Sequence, residues 1–318
     1  MHARFWHSLP DQRIQCDLCP RLCKIGEGQR GICYGRENQN GTLIATTYGF
    51  PSSLAVDPIE KKPLYHFLPG SHILSFGTVG CNLGCLFCQN WSLSNVSARQ
   101  HVSTSAQDIA LKAQSLHCPS VAFTYNEPIV FAEYAIDVAE ECHKLGIKTV
   151  AVTNGYVNPE PAREFFSHMD AANVDLKAFS EKFYHKLCGA HLQPVLDTLQ
   201  LIKKETKTWL EITTLLIPGE NDGNDEIDKM TRWIVENLGV DVPLHFSAYH
   251  PDFKYTKAPA TPLETLTRAR DIAIKNGLHH VYIGNVGGRD VRPDVSTYCA
   301  SCHKPILERD GYLLGRKF

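Results

Sequence analysis

Three cysteines, Cys81, Cys85 and Cys88, stand in the run GTVGCNLGCLFCQNW with the spacing CxxxCxxC. Thiolates select zinc, copper(I) or an iron–sulfur cluster. A closed structural zinc site takes four protein ligands and so does an ordinary cubane, so three cysteines on one loop describe a metal centre with an open position. A cubane held at three corners leaves its fourth iron free to chelate a small molecule, and chemistry would take place there. A zinc knuckle, or three buried thiols that only pack, are the plainer readings of the same residues.

Six more of the twelve cysteines fall into two further groups, while Cys118, Cys142 and Cys188 stand alone and read as core or surface thiols. Cys16, Cys19, Cys23 and Cys33 form CxxCPxxC followed by a fourth thiol. That is a complete ligand set, and an auxiliary 4Fe-4S cluster or a structural zinc site satisfies it equally. Cys299, Cys302 and His303 have the form CxxCH, which marks haem attachment in exported proteins but reads here as half a zinc knuckle. It is complete only with partners, and Cys16 and Cys19 are candidates for a shared site joining the two ends of a barrel. The glycines between Gly26 and Gly31 match GxGxxG, yet they follow no strand and open no helix, so the dinucleotide reading fails its context.

The composition describes an ordinary globular chain: 318 residues, 43% hydrophobic, 21% charged, with a net charge of -2. No basic excess points to nucleic acid. The start, MHARFWHSLPDQR, lacks an apolar signal core, and no stretch approaches the roughly 18 apolar residues of a membrane span. The cytoplasm is the expected location, where thiols stay free rather than form disulfides.

These side chains need a frame to hold them. Short β-rich runs recur at Ile73–Phe76, Val121–Thr124, Thr149–Thr153, Asn173–Leu176, Trp209–Leu216, Leu244–Ala248 and Val281–Ile283. Between them, helical spacing over Ile129–Leu145, Ile227–Leu238 and Leu263–Asn276 stops each time at a glycine, Gly146, Gly239 and Gly277. The alternation predicts an α/β fold with parallel strands. Polar signatures follow the strands at one end: Tyr125-Asn126-Glu127-Pro128, Asn154-Gly155, Asp175 with Lys177, Pro218 to Asp222, His250-Pro251 and Asn285. In β/α barrels chemistry collects on the loops at that end.

The cysteine run, with Phe87 in the aromatic place, resembles the signature of the radical S-adenosylmethionine (radical SAM) enzymes. Together TYNEP, VTNGY, VDLKAF, LLIPGEND and HFSAYHPDF resemble the branch related to pyruvate formate-lyase activating enzyme. DLCPRLCKIGEGQRGICYGR, DPIEKKPLYHFLPG and YCASCHKPILERDGY are similar to the AmmeMemoRadiSam-system members. The resemblance implies a partial (β/α)6 TIM-type barrel with cysteine-containing extensions: residues 1–70, a barrel over 71–287, and 288–318 packed on it. It implies a 4Fe-4S cluster on Cys81, Cys85 and Cys88 that cleaves SAM to a 5′-deoxyadenosyl radical, fed by a flavodoxin or ferredoxin-type electron donor. Glu127 is then expected near the SAM amino group, with Asn154 and Gly155 approaching the cofactor and Asp175 and Lys177 at its ribose or carboxylate. Residue by residue the plainer roles are a strand-end cap for Glu127, an ion pair for Asp175 and Lys177, and a core histidine for His250, which otherwise positions substrate. Many radical SAM proteins carry Gly-Gly-Glu where this chain has Tyr125-Asn126-Glu127, so only the carboxylate carries over. The substrate is a small molecule or a protein, or a backbone glycine of a partner enzyme. A non-catalytic iron–sulfur or zinc interaction module is the reading from another class.

Overall fold

The computed structural model describes residues 1–94, 102–286 and 295–317. Eight strands stand side by side in chain order. They are β1 (Ser52–Pro58), β2 (His72–Gly77), β3 (Ser120–Phe123) and β4 (Lys148–Thr153), followed by β5 (Ala171–Asp175), β6 (Trp209–Leu216), β7 (Leu244–Ala248) and β8 (Val281–Gly284). β1 runs antiparallel to β2, and every other pairing is parallel. β1 and β8 are the two edges, so the wall is an open, partial barrel.

Six helices fill the crossovers: α1 (Ala106–Ser115), α2 (Ala132–Lys144), α3 (Pro159–Ser167), α4 (Gln193–Glu205), α5 (Asn224–Leu238) and α6 (Leu263–Lys275). Parallel strands covered on both faces carry unbroken apolar runs, and all four residues of β3 are buried. Ser105 caps α1 reciprocally with Asp108, its hydroxyl accepting from the Asp108 amide at 3.1 Å. α2, α5 and α6 end as the glycines require, with positive φ at Gly146, Gly239 and Gly277. Phe76 of β2 and Phe123 of β3 pack edge to face at 5.5 Å, with Phe131 and Tyr134 of the α2 segment closing the cluster. Truncating Phe76 in such a core would cost about 3–5 kcal/mol.

The two ends of the sheet are covered by different parts of the chain. At the amino end, the segment after β1 crosses beneath the strands: Asn173 Nδ2 donates to the Pro63 carbonyl at 2.8 Å. There the amides of Tyr65 and His66 donate to Glu211 at 3.0 and 2.9 Å. The C-terminal sheet, Thr297–Tyr298, Pro305–Asp310 and Leu313–Lys317, packs onto this segment. Its buried Arg309 donates to the Tyr65 carbonyl (2.5 Å) and the Thr297 hydroxyl (2.7 Å) and pairs with buried Glu60 at 3.4 Å.

At the carboxyl end lies the N-terminal segment, with small sheets of Trp6–Ser8, Ile14–Cys16 and Lys24–Ile25, and of Arg36–Gln39 and Thr42–Ala45. Asn158 before α3 donates through Nδ2 to the Asp17 carbonyl at 2.7 Å, and Arg21 Nε donates to the Asn82 carbonyl at 2.8 Å. The edge strand β1 also belongs to residues 1–70 but joins the barrel sheet itself; the expected boundary at 287 and 288 lies outside the described residues. This placement corrects the idea that Cys299 and Cys302 complete a site with Cys16 and Cys19. The C-terminal sheet packs beneath the amino ends of the strands and the N-terminal thiols sit above the carboxyl ends, with the barrel wall between them.

Candidate active site

The loop Cys81–Cys88 follows β2 and has no regular structure of its own, so its shape comes from hydrogen bonds to its neighbours. Asn126, after β3, donates through Nδ2 to the Gly80 carbonyl at 2.8 Å and accepts at Oδ1 from the Thr78 amide at 3.0 Å. Asn82 Nδ2 donates to the Tyr156 carbonyl at 2.7 Å, and Asn154 Nδ2 donates back to Asn82 Oδ1 at 2.9 Å. The amides of Gly84 and Leu86 donate to the carbonyls of Cys188 and Leu187, each at 2.9 Å. Phe87 is buried against Phe183, with ring centroids 5.6 Å apart. Close approach fixes two glycines: a Cβ on Gly77 would stand 2.4 Å from the Thr124 carbonyl, and one on Gly80, where φ is +91°, 1.9 Å from the Cys33 carbonyl.

Cys81, Cys85 and Cys88 line a cavity of about 240 Å³ at the carboxyl ends of the strands. Glu127, Asn154, Asp175 and Lys177 share its wall, together with Thr213 and Ser247 on β6 and β7. Gly155 is not in that wall. Its φ of +67° turns the chain after β4, where a Cβ would meet Val174 at 2.9 Å. His250 is exposed and lies away from the cavity, and the Pro218–Asp222 turn is also outside it. In that turn Asn221 braces the frame by donating to the Lys177 carbonyl at 2.7 Å.

Glu127 does the work of a clamp as well as facing the cavity. It accepts from the Ile129 amide (3.0 Å), the Thr153 hydroxyl (2.6 Å) and the Asn154 amide (2.7 Å), so it ties the end of β3 to the end of β4. Burial nevertheless pushes its carboxyl up to about 7, the hydrogen bonds offsetting only part of the desolvation. Lys177 pairs with Asp175 at 2.9 Å with a side chain only 16% exposed. Burial pulls its ammonium down, but Asp175, Cys85 and Cys188 outweigh that and hold it well above the usual lysine value. A cation is thus fixed beside a thiol in the cavity wall.

Two residues of this neighbourhood carry no signature in the sequence. Cys188, in a π-helical turn over Tyr184–Cys188, is fully buried, and its carbonyl accepts from the Gly84 amide next to Cys85. Interaction with Cys188 is the largest influence lowering Cys85, whereas burial raises Cys81 and Cys88. Cys188 does not line the cavity, so the three-cysteine loop keeps its open side. Thr213 is buried in the cavity wall and its Oγ1 has no hydrogen-bond partner among the described residues. Neither was legible because a lone Cys or a strand Thr is common in any core; only the fold brings them here.

The sequence pattern of the Radical SAM superfamily matches residues 76–234. A protein of Methanocaldococcus jannaschii, itself uncharacterised, is 42% identical over 309 residues, covering 96% of this chain and 91% of its own. The pyruvate formate-lyase 1-activating enzyme of Escherichia coli K12 is 23% identical over 226 residues, covering 66% of this chain and 91% of its own. Among solved structures, a radical SAM methyltransferase from Sphaerobacter thermophilus superposes with a TM-score of 0.55 at 14% identity, over 68% of this chain and 67% of that one. With an open β/α barrel and three thiols at its mouth, this chain belongs to the radical SAM superfamily, whose members use a 4Fe-4S cluster and S-adenosylmethionine. Within that superfamily it is homologous to the pyruvate formate-lyase activating enzymes.

The residues present fit those groups. Three thiols spread along a cavity wall, an orphaned buried hydroxyl at Thr213 and a fixed ammonium at Lys177 suit a cluster with a polar, carboxylate-bearing ligand beside it.

Proposed function

We propose that this protein reductively cleaves S-adenosylmethionine and uses the resulting radical to take a hydrogen atom from a substrate. The observation carrying this reading is that one cavity joins all three loop thiols to Asp175, Lys177 and Thr213 from successive strands. When bound, the reduced cluster supplies the electron that splits SAM into methionine and a 5′-deoxyadenosyl radical. Cys81, Cys85 and Cys88 hold the cluster. Lys177 binds the carboxylate of SAM, steadied by Asp175, and Thr213 supplies a hydroxyl from the floor. Glu127 keeps the ends of β3 and β4 in register and presents its carboxyl edge to the amino group. The apolar surroundings, Leu83, Phe87, Val152 and Leu215, keep water from a reactive carbon.

The electron donor is a flavodoxin or ferredoxin-type protein, and the reducing cytoplasm is the compartment that suits free cluster thiols. No described helix is long and apolar enough to cross a membrane. The hydrogen comes from a small molecule or a protein other than a glycyl-radical enzyme. A second version, activation of a partner enzyme at a backbone glycine, is favoured by the similarity to the E. coli activating enzyme over 66% of this chain. Anaerobic reconstitution with iron and sulfide, then dithionite and SAM, tests the common step. Release of 5′-deoxyadenosine that disappears in Cys85→Ala supports it. Absence of the product from a chain that holds its cluster, or zinc filling the three thiols, refutes it and leaves the non-catalytic module.

A further inference from the structure

We infer that Cys299 and Cys302 form a dithiol that exchanges with a low-molecular-weight disulfide and closes into an intramolecular disulfide of its own. The turn that carries them joins the strands Thr297–Tyr298 and Pro305–Asp310 of the C-terminal sheet. Tyr298 pairs with Pro305, and inside that pair the Cys299 amide donates to the Lys304 carbonyl at 2.9 Å while the Cys299 carbonyl accepts from the His303 amide at 2.9 Å. A bond from residue i to i+4 of this kind is a single helical turn that is not continued. It sets side chains three apart beside each other, with Cβ atoms roughly 5–6 Å apart. A disulfide needs Cβ atoms about 3.5–4.5 Å apart, so a small tightening of the turn joins the two sulfurs.

Access and charge set this pair apart from the isolated thiols. Cys302 is the one exposed cysteine among the described residues, and Cys299 beside it is half-buried. Cys118 and Cys142 are buried, and burial raises both thiols, which makes them poor nucleophiles. At Cys299 the direction is reversed: the amides of Cys302 and Ser301, and then the Cys302 thiol, hold it below the ordinary cysteine value. An accessible thiolate with a second thiol one turn away is what thiol–disulfide exchange uses.

Metal binding is the other use of a CxxC turn, and the fold removes the partners it would need. A closed zinc site takes four protein ligands, and this turn offers Cys299, Cys302 and at most His303. Cys16 and Cys19, the donors that would complete the set, are held above the carboxyl ends of the strands, while the C-terminal sheet is held beneath the amino ends.

The exchange balances in two steps. The Cys299 thiolate attacks one sulfur of the external disulfide; a new sulfur–sulfur bond forms, the old one breaks, and one small thiolate leaves and takes a proton from water. The Cys302 thiol then loses its proton to water and attacks the Cys299 sulfur, closing the ring and expelling the second small thiol. Counted from the dithiol, the protein gives up two electrons and two protons, and the external disulfide becomes two thiols. In a reducing compartment the pair rests as the dithiol and closes while oxidant is in excess.

The test treats the full, anaerobically reconstituted chain with excess oxidised glutathione, denatures it in iodoacetamide to trap every remaining thiol, and maps the cysteines by peptide mass. The expected product is a peptide holding Cys299 and Cys302 that is unalkylated and lighter by two hydrogens, with the dithiol restored by dithiothreitol, while Cys118 and Cys142 are alkylated. Cys302→Ser should instead retain glutathione on Cys299. Alkylation of both Cys299 and Cys302 in the treated wild-type chain, or glutathione left on that turn without ring closure, overturns the proposal. So does zinc in the turn, seen as about one zinc per chain that shields both thiols and is lost in Cys299→Ser. The wild-type chain carries the decision even where a variant fails to fold.

Discussion

Both ends of the barrel sheet gather polar side chains, and they differ in where the hydrogen bonds go. At the amino end Glu211 accepts from Tyr65, His66 and, at 2.7 Å, His245, while His66 meets the Tyr282 hydroxyl at 2.7 Å. Arg309 adds contacts from the C-terminal sheet, so these groups are bound to one another. At the carboxyl end Lys177, Thr213 and three thiols face a cavity instead. A polar cluster closed on itself is a plug; one whose members point into a void is a binding site. The partner of each group separates structure from function.

The largest effect that would break this contrast is at the open end. Cys81→Ala, Cys85→Ala or Cys88→Ala should each reduce 5′-deoxyadenosine release to background, with little change in the melting midpoint. A midpoint that collapses would mean the loop is structural. Next, Arg309→Met at the closed end removes one partner of a buried ion pair and should cost about 3–5 kcal/mol in denaturant unfolding. SAM cleavage per folded molecule should be unchanged, and a selective loss of cleavage would undo the separation of the two ends.

Each end carries a pH dependence: at the open end the raised Glu127 carboxyl stabilises less as pH climbs through about 7, and at the closed end His66 acts with the opposite sign. Burial depresses His66 to about 4 in the folded state, from an ordinary value of about 6.5. At His66 the unfolded chain binds more protons between those values, so the stability this group contributes is present above about 6.5 and is lost as pH falls towards 4. The His66 loss is on the order of 3 kcal/mol, and in urea titrations the stability difference between wild type and His66→Phe should shift by about that amount across the window.

Sharper still are two changes in the cavity. Lys177→Met should weaken cleavage by roughly 10–100-fold, as removal of a charged group beside a metal site does. The smallest effect is at Thr213, where Val replaces a hydroxyl that has no partner. Thr213→Val should be neutral or slightly stabilising, yet raise the KM for SAM several-fold. Unchanged KM would show that Thr213 faces nothing.

Much of this frame could be read from residue order. Trp209–Leu216 and Leu244–Ala248 are strands over the expected residues, because a strand buried on both faces advertises itself as an apolar run. β1 could not be read that way: Ser52–Pro58 is largely exposed along an edge and has no such run. The cavity residues Glu127, Asn154, Asp175 and Lys177 were legible as polar punctuation after strands, and the same rule overreached at His250 and Pro218–Asp222, where the polar residues turn the chain. Cys188 and Thr213 were out of reach because their meaning comes only from where the fold sets them, Cys188 beside the loop of Cys85 and Thr213 in the wall that the three thiols share.

The wide turn at Tyr184–Cys188 has one more implication. Because its carbonyls at Leu187 and Cys188 are offered sideways to the amides of Leu86 and Gly84, the metal loop is laced to a helical end by protein bonds alone. Its contour is therefore set before any iron arrives, and assembly becomes a matter of filling a mould. Hydrogen exchange at those two amides should be slow in metal-free protein and barely slower after loading.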